Sequence, residues 1–228
     1  MHAQPPFRHL RWWADPLPRP GPENMAVDEW LMGLAAESGT PMMRVYGWSG
    51  DWVSYGYALS LALARSQFPD PGLSYIRRWT GGGVVDHRND WTYTVAVPPG
   101  DPLAALTAPE RYSAIHAALV AALQAEGIAV RLSDGSDVTG SDACFRNPVA
   151  HDVVDASGQK IAGAGQRRNR TGMLHQGSVI TGKGEPAADS RAAALAQCLA
   201  VNPEQVELSP PPETLDRLMK ERYRHPDW

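Results

Sequence analysis

The chain has 228 residues, of which 43% are hydrophobic, and a formal net charge of −4. This apolar content is enough for a core that needs no metal or disulfide to hold it together. The slightly acidic balance argues against binding nucleic acid by bulk charge attraction.

Cysteine usage and apolar run lengths indicate the compartment. The two cysteines, Cys144 and Cys198, lie far apart and form no C-x-x-C motif, so neither a disulfide framework nor a zinc site is expected. The first residues lack a basic region followed by an apolar stretch, and no run reaches the length of a membrane span. We therefore expect a cytoplasmic protein that contacts neither membranes nor nucleic acid.

The first half of the chain predicts one helix and several short strands. Prolines cluster at 5–22, which we expect to form loops or a partly ordered end. The helix is predicted over 22–38, where Val27 and Leu31 share one face at helical spacing. The strands expected after it cover 42–48, 51–57, 73–79 and 91–97. The last of these alternates polar and apolar residues, which is typical of a half-buried strand.

The second half predicts two further helices around another group of strands. Thr107 and Glu110 form a capping-box pattern at the start of a helix over 107–127. The strand-like segments that follow are 128–132, 150–165 and 171–180, with a hairpin turn at 155–159. A helix is expected over 186–200. A weaker helix over 212–223 falls in a second proline cluster at 203–226, which we otherwise expect to form loops.

The order of these elements predicts the fold class. Helices and strands follow one another without strict βαβ alternation, which favours an α+β domain on a mixed or largely antiparallel sheet. We see no domain boundary inside the chain. Residues 1–228 are therefore expected to form a single domain with a core of about 22–200.

The segment RRWTGGGVVDH, residues 77–87, is the first candidate site. Three consecutive glycines after a strand let the backbone approach a ligand closely and turn N–H groups towards an anion. Arg77 and Arg78 point to opposite sides of the strand, so one of them could face the ligand. A glycine-rich bulge with solvated arginines is an equally good interpretation of this segment taken alone.

A second candidate is the stretch 142–168, where Lys160 leads into small residues at Gly163 and Ala164. A lysine placed there can lay its ammonium group against a phosphate or an acyl carbonyl. The alternative is an exposed hairpin lysine. Cys144 could be a nucleophile or a buried small hydrophobe, and in isolation the buried interpretation is favoured, as it is for Cys198.

The third candidate is GMLHQGSVI, residues 172–180, with His175 and Gln176 before Gly177. It could line the floor of a pocket, but a strand with a glycine bulge is the favoured interpretation. The chain has no nucleotide-binding Walker motif, no serine nucleophile elbow and no metal-spaced histidines.

Four segments together resemble one family. NMAVDEWL, RRWTGGGVVDH, GQKIAGAGQRR and GMLHQGSVI occur in the order seen in lipoate–protein ligases and related octanoyl or lipoyl transferases. These enzymes belong to the biotin/lipoate A/B ligase superfamily. The resemblance covers roughly 22–180 and implies a mixed sheet flanked by helices, as in class II aminoacyl-tRNA synthetase catalytic domains.

The resemblance also implies a reaction. In the ligases, lipoate or octanoate reacts with ATP to give an acyl-adenylate, with Mg²⁺ accompanying the ATP. The acyl group then passes to a lysine on a lipoyl domain of a 2-oxoacid dehydrogenase or on the glycine-cleavage H protein. Lys160 would bridge the α-phosphate and the acyl carbonyl in both steps.

The remaining site residues follow from the same resemblance. The arginine pair would meet the phosphates, and the glycine loop with its neighbours would border the acyl slot. His87 would line the pocket or steady the loop. The predicted binding residues are Arg77, Arg78, Thr80, Gly81, Gly82, Gly83, Val84, His87, Gly163, Ala164 and His175.

Two features leave alternatives open. Many of the ligases carry a C-terminal accessory domain, for which this chain has no room after its last helices. The pair Cys144–Phe145 resembles a segment of octanoyltransferases in which a cysteine takes the acyl group from an acyl carrier protein without ATP. Our first interpretation is an ATP-dependent ligase. The second is a transferase with Cys144 as nucleophile, followed by biotin ligation and then by a non-catalytic lipoyl-binding protein.

Overall fold

A computed structural model describes residues 4–135, 148–181, 188–225 and 228. The strands are β1 Phe7–Ala14, β2 Met42–Tyr46, β3 Trp52–Tyr55, β4 Ser74–Arg77, β5 Val84–Asp86, β6 Trp91–Val97, β7 Val130–Leu132, β8 Val153–Asp155, β9 Lys160–Asn169, β10 Gly172–Val179 and β11 Ala200–Gln205. The helices are α1 Gly21–Ser38, α2 Leu61–Gln67, α3 Pro102–Ala105, α4 Ala108–Ala125, α5 Ala188–Leu199 and α6 Pro212–Leu218, which a π-helical turn continues over Met219–Tyr223. No helix in these parts of the chain is long and apolar enough to cross a bilayer.

An eight-stranded sheet organises the molecule in the order β11-β1-β2-β6-β10-β9-β8-β7. Strand β1 is parallel to both of its neighbours, and every other pairing in this sheet is antiparallel. A smaller sheet, in the order β4-β3-β5, carries the strands on either side of the glycine triplet. The mixed, mostly antiparallel sheet with its helices confirms the predicted α+β class.

Strand β6 is fully buried rather than half buried, so that expectation was wrong. Its apolar residues, including Tyr93 and Val95, pack in one core with Leu119 of α4. Its threonines, Thr92 and Thr94, are also buried, because α1 covers the other face of the sheet. The alternating sequence of β6 therefore places apolar side chains on one face, in the apolar core, and threonines on the other face, among buried polar groups. Neither face is exposed to solvent.

Both proline-rich ends contain strands where loops were expected. Strand β1 lies within the first proline cluster. Strand β11 runs into the start of the second cluster and pairs with β1 in parallel. Pro203 is tolerated because β11 is the edge strand of the sheet, where a missing N–H group disrupts no second ladder. Neither strand was predicted, because proline-rich segments are typical of loops and a position at the sheet edge cannot be recognised from local sequence.

The long predicted helices are present. Helix α1 ends at Gly39, whose φ of +65° is a left-handed conformation suited to glycine. At the start of α4, the N–H and hydroxyl groups of Thr107 both donate to the Glu110 carboxylate, at 2.8 and 2.7 Å. The short helices α2 and α3 were not predicted, since fewer than two turns give little periodicity to detect.

Strand β10 contains no bulge, contrary to expectation. It pairs with β6 and β9 without a shift in register. Gly177 is required for another reason, because a Cβ atom there would lie 2.3 Å from the ring of Tyr93 on β6. The glycine makes room for a neighbouring aromatic ring.

Candidate functional site

The glycine-rich segment, β9 and β10 border a cleft with about 450 Å³ of empty space, its open mouth included. The residues predicted from the sequence that line it are Arg78, Gly82, Gly83, His87, Lys160, Gly163 and Ala164. Two segments that are far apart in the chain therefore meet at one site.

Glycines at this site allow backbone segments to touch one another. A Cβ atom on Gly165 would lie 2.2 Å from the carbonyl oxygen of Gly81, and one on Gly56 would lie 2.1 Å from that of Gly82. Gly82 also has a φ of +94°, which side chains rarely adopt. The loop is thus packed directly on strand β9 and on the residue that follows β3.

Arg78 is a buried cation at the cleft. Its Nη1 donates to Ser54 Oγ at 2.6 Å, and its Nη2 donates to the carbonyls of Gly81 and Gly83 at 3.2 and 2.8 Å. Burial lowers the pKa of Arg78 to about 10. Within the described residues no carboxylate pairs with this guanidinium, so its charge is available to an anionic or carbonyl ligand.

Arg77 points elsewhere. Its Nη1 donates to the carbonyls of Tyr57 and Leu59, at 2.7 and 2.9 Å, and its guanidinium lies over the Tyr55 ring at 5.1 Å. It does not line the cleft. The alternation expected for the arginine pair is present, and Arg78 is the member that faces the cleft.

Lys160 begins β9 and lies across a glycine. Its Nζ is 2.8 Å from Asp152 Oδ2, and a Cβ atom on Gly163 would lie 2.6 Å from Nζ. The other oxygen of Asp152 accepts from the Tyr112 hydroxyl at 2.5 Å, and this hydroxyl accepts from the Ala164 N–H at 2.8 Å. Burial, reinforced by Asp152, raises the pKa of Tyr112, which therefore stays a neutral donor. The small residues after Lys160 let its ammonium group reach the cleft.

His87 is held on three sides. Its Nε2 lies 2.5 Å from Ser54 Oγ, and its Nδ1 lies 2.7 Å from Asp90 Oδ2. Its ring stacks on Trp48, with centroids 4.0 Å apart and planes at 18°. Ser54, His87 and Trp48 all line the cleft.

A separate polar group lies beneath α1. Arg44 Nη2 pairs with Asp15 at 2.7 Å, and its Nη1 pairs with Asp28 at 2.8 Å, all three side chains being wholly buried. Arg44 also donates to Asn24 Oδ1 at 2.8 Å, and Tyr46 donates to Asp28 at 2.9 Å. We call Asp15, Asn24, Asp28, Arg44 and Tyr46 the sealed cluster, because Arg44 pairs with both of its carboxylates and Arg19 pairs with Asp15 from outside it, at 3.0 Å. Tyr46 is its one member that also lines the cleft.

The sealed cluster is connected to the glycine loop. Thr80 donates to Gln176 Oε1 at 2.8 Å, and Gln176 Nε2 donates to Asp28 Oδ2 at 2.7 Å. Thr80 is fully buried and does not itself line the cleft. Thr80 therefore anchors the glycine loop, which begins at this residue, to the core.

His175 is a core residue on β10. Its Nε2 lies 3.1 Å from the Tyr93 hydroxyl, and its Nδ1 lies 3.0 Å from Gln166 Nε2. Burial, with a smaller contribution from His116, lowers the pKa of His175 well below its usual range. It is fully buried and does not line the cleft, so the structure does not bring this predicted binding residue to the site.

The other predicted residues are placed as follows. Gly81 contacts β9 through its carbonyl, and Val84 is buried in the small sheet. Cys198 is half buried on α5, where burial raises the pKa of its thiol. Cys144 lies outside the described residues. In the described parts of the chain, no three His, Cys, Asp or Glu side chains are grouped as metal ligands would be.

Sequence reasoning missed four polar residues that organise the site: Ser54, Asp90, Asp152 and Asp28. Gln176 was recognised only as part of a segment that could line a pocket, and it does line the cleft. The spacing of His87 and Asp90 within one loop was a readable signal. Asn24 and Asp28, four residues apart beside the apolar face of α1, were another. The long-range contacts of Ser54, Asp152 and Gln176 leave no local pattern.

A mixed sheet that brings a bare glycine backbone, a guanidinium and an ammonium group into one cleft is typical of domains that bind anionic or acyl ligands. The family follows from the sequence match. The chain belongs to the lipoyl protein ligase A/B catalytic domain family, which it matches over residues 20–214. This match confirms the resemblance found in the four motifs.

Among curated relatives, the chain is 33% identical over 177 residues to Octanoyltransferase LipM from Symbiobacterium thermophilum. That alignment covers 71% of this chain and 62% of the relative. The chain therefore spans about three fifths of the length of the relative.

Solved structures share the fold. Protein Ta0514 from T. acidophilum superimposes with a TM-score of 0.70 at 18% identity, covering 97% of this chain and 98% of that one. A bi-partite lipoate protein ligase from Thermoplasma acidophilum, studied with its E2 lipoyl domain, gives a TM-score of 0.61 at 16% identity over 97% of this chain and 95% of its own.

Proposed function

We propose that this chain is an octanoyltransferase, which moves an octanoyl or lipoyl group from a carrier protein to a lysine of a lipoyl domain without ATP. The observation that carries the proposal is the 33% identity to Octanoyltransferase LipM. This reaction is the second interpretation drawn from the motifs.

The transfer has two steps. The thiolate of Cys144 attacks the carbonyl carbon of the carrier-bound thioester, a new C–S bond forms, and the carrier thiol leaves with a proton. The acceptor lysine amine then attacks the Cys144 thioester, an amide bond forms, and the cysteine thiol is restored. The role of Cys144 rests on its sequence context.

Cleft residues support both steps. The Lys160 ammonium group can polarise the acyl carbonyl and stabilise the negative charge that develops on its oxygen. Arg78 adds a second buried positive charge at the same cleft. Gly82 and Gly83 let the backbone border the acyl group without side chains in the way.

The ATP-dependent ligase, our first interpretation, is less well supported. The curated relative at 33% identity is an octanoyltransferase, whereas the solved ligase from Thermoplasma acidophilum shares 16% identity, which supports the fold alone. Arg78 and Lys160 would suit the phosphates of ATP as well as a carbonyl. An assay with ATP and Mg²⁺ therefore belongs in the test.

Partners follow from the reaction. The donor would be an acyl carrier protein, and the acceptor a lipoyl domain of a 2-oxoacid dehydrogenase or the glycine-cleavage H protein, all in the cytoplasm.

One experiment separates the alternatives. The protein is incubated with an apo lipoyl domain and either octanoyl–carrier protein, or octanoate with ATP and Mg²⁺, and the acceptor mass is measured. We expect modification from the carrier without ATP, and its loss in Cys144→Ser. Cys198→Ser is the matched control, which should remain active because Cys198 packs away from the cleft.

Other outcomes would contradict the transferase. Modification that requires ATP and survives Cys144→Ser would support the ligase, and no modification under either condition would support a non-catalytic binder. Lys160→Ala should lower turnover by at least about a hundredfold. Full turnover in that variant would refute the role given to Lys160.

A further inference from the structure

Three donors hold the Asp152 carboxylate, and one of them is Lys160. Asp152 Oδ2 lies 2.8 Å from Lys160 Nζ and accepts from the Val149 N–H at 2.8 Å. Asp152 Oδ1 accepts from the Tyr112 hydroxyl at 2.5 Å. The side chain of Asp152 is wholly buried, and that of Lys160 is 10% exposed. The direction in which Asp152 points therefore determines where Lys160 Nζ lies at the cleft.

The Tyr112 hydroxyl joins Asp152 to a wall of the cleft. It accepts from the Ala164 N–H at 2.8 Å, so its own proton is directed to Asp152 Oδ1. Strand β8 begins at Val153, which pairs with Ala162 on β9, and Ala164 therefore lies beyond the end of β8. Tyr112 supplies the acceptor that a longer β8 would have supplied. Since Ala164 lines the cleft, the hydroxyl sets the spacing between Asp152 and the cleft wall.

A second side chain on α4 holds the same turn of the chain. His116, one helical turn after Tyr112, donates from Nδ1 to the His151 carbonyl at 2.7 Å. Burial lowers the pKa of His116 to about 4, so this donor is a neutral imidazole. His151 has a φ of +71°, a left-handed conformation that residues other than glycine rarely adopt. Such a conformation persists only where neighbouring contacts hold it, and α4 supplies contacts on both sides of the bond between His151 and Asp152.

Lys160 needs this support because its side chain is long and has many rotamers. Holding one rotamer costs conformational entropy, which fixed neighbours offset before the substrate binds. Gly163 leaves room for the chosen rotamer, since a Cβ atom there would lie 2.5 Å from Lys160 Cε. A displacement of about 1 Å from the reacting position can slow a reaction by about a hundredfold. The contact with Asp152 is thus a means of keeping Nζ in place.

We propose that Tyr112 is a positioning residue for acyl transfer: its hydroxyl holds Asp152, and Asp152 holds Lys160 Nζ beside the acyl carbonyl. Tyr112 does not line the cleft, so it acts through Asp152 and Ala164. The inference rests on the proposed function only in requiring that Lys160 acts on the acyl group, which the transferase and the ligase have in common.

The informative variant is Tyr112→Phe, which removes the hydroxyl and keeps the ring. We expect the kcat of octanoyl transfer to fall by about tenfold, the size of one hydrogen bond to a charged group. The KM values for the donor and the acceptor should not change, because Tyr112 does not line the cleft.

Tyr223→Phe is the matched control. The Tyr223 hydroxyl also donates to a carboxylate, that of Glu29 at 2.8 Å, but Glu29 pairs with Arg222 and not with Lys160. This variant should lose a similar amount of stability in urea and keep the kcat of the wild type. An equal loss of kcat in both variants would mean that any buried tyrosine hydroxyl has this effect, and would overturn the proposal.

A double variant tests whether Tyr112 acts through Lys160. If it does, adding Tyr112→Phe to Lys160→Ala should not slow the residual turnover further, because the side chain that Tyr112 positions is already absent. A loss by the same factor in both backgrounds would mean that Tyr112 supports the fold or another part of the cleft. That result, or a full kcat in Tyr112→Phe alone, would overturn the proposal.

The same variants separate this inference from the proposed function. If Lys160→Ala is slow and Tyr112→Phe is as fast as the wild type, the role of Lys160 stands and that of Tyr112 is refuted. If Lys160→Ala keeps full turnover, both roles are refuted. If the wild type modifies no acceptor from either donor, the proposed function fails, and a measurement that needs no turnover decides whether Tyr112 places Lys160.

That measurement is the labelling of lysines by acetic anhydride. Lys160 and the exposed Lys220 react in the same sample, and mass spectrometry of their peptides gives the ratio of the two rates. Tyr112→Phe should raise this ratio by about fivefold, the size of one ordinary hydrogen bond, because Lys160 would leave Asp152 more often. A ratio equal to that of the wild type and of Tyr223→Phe would overturn the placement of Lys160 by Tyr112.

Discussion

The sealed cluster and the cleft are both buried polar regions, but they treat charge differently. In the sealed cluster, Arg44 is paired with two carboxylates, each of them wholly buried. In the cleft, Arg78 is 5% exposed and holds only a hydroxyl and carbonyl groups within the described residues. A matched buried charge stabilises a particular packing, whereas an unmatched one costs stability and is retained for a ligand.

Replacing the buried arginine by methionine should mainly reduce stability in the sealed cluster and mainly reduce activity in the cleft. Arg44→Met leaves the buried Asp28 without a cation and leaves Asp15 with Arg19 alone, and it should cost about 3–5 kcal/mol. Arg78→Met removes three hydrogen bonds but also a desolvated charge, so its cost should stay within about 1 kcal/mol while acyl transfer is lost. Urea unfolding and the transfer assay measure the two effects. Equal destabilisation by both variants would remove the distinction between the regions.

Acid should destabilise the fold through two fully buried histidines, His116 and His175. Burial lowers the pKa of His116 to about 4 and that of His175 well below its usual range. Between the ordinary histidine value of about 6.5 and these lowered values, the unfolded chain binds more protons than the folded one. In this range, each unit by which the pH decreases should lower the free energy of unfolding by about 1.4 kcal/mol for each histidine.

The measurement is the urea midpoint as a function of pH. His175→Gln should reduce the slope of stability with pH by about half, because one of the two histidines no longer titrates. A stability that does not change between neutral and mildly acidic pH would mean that these histidines are charged in the folded protein.

The smallest effect concerns the contact between the loop and β9. A Cβ atom in Gly165→Ala would lie 2.2 Å from the Gly81 carbonyl oxygen, so this substitution should cost about 1–3 kcal/mol and reduce transfer. Gly33→Ala is the matched control, because nothing lies within 4 Å of its added Cβ on helix α1. It should stabilise the protein by about 0.5–1 kcal/mol without changing transfer. If the two variants behave alike, close contact is not the reason for glycine at 165.

The cleft was predictable where its residues are consecutive. Arg78, Gly82 and Gly83 lie within residues 78–83, and Lys160 is followed closely by small residues in a second segment, so each half gives a local pattern. Asp152 could not be found in this way. It reaches Lys160 through the pairing of β8 and β9, and nothing in its own neighbourhood distinguishes it from a surface aspartate.

Strand edges were the weakest part of the sequence prediction. Local rules assign proline-rich stretches to loops, and β1 and β11 were missed for that reason. A strand tolerates proline where it lies at the edge of the sheet, because the missing N–H group then faces no neighbouring strand. Which strand lies at the edge is a property of the whole sheet.

The sequence by itself determined the fold class, the main helices, the family and the two segments that carry the site, because each follows from periodicity or from consecutive residues. Only the tertiary structure separated Arg78 from Arg77, placed Lys160 over Gly163, and joined Ser54, His87 and Asp90 into one row. It also assigned Thr80 and His175 to the core. Burial and charge pairing are set by contacts between segments distant in the chain, so no local pattern can carry them.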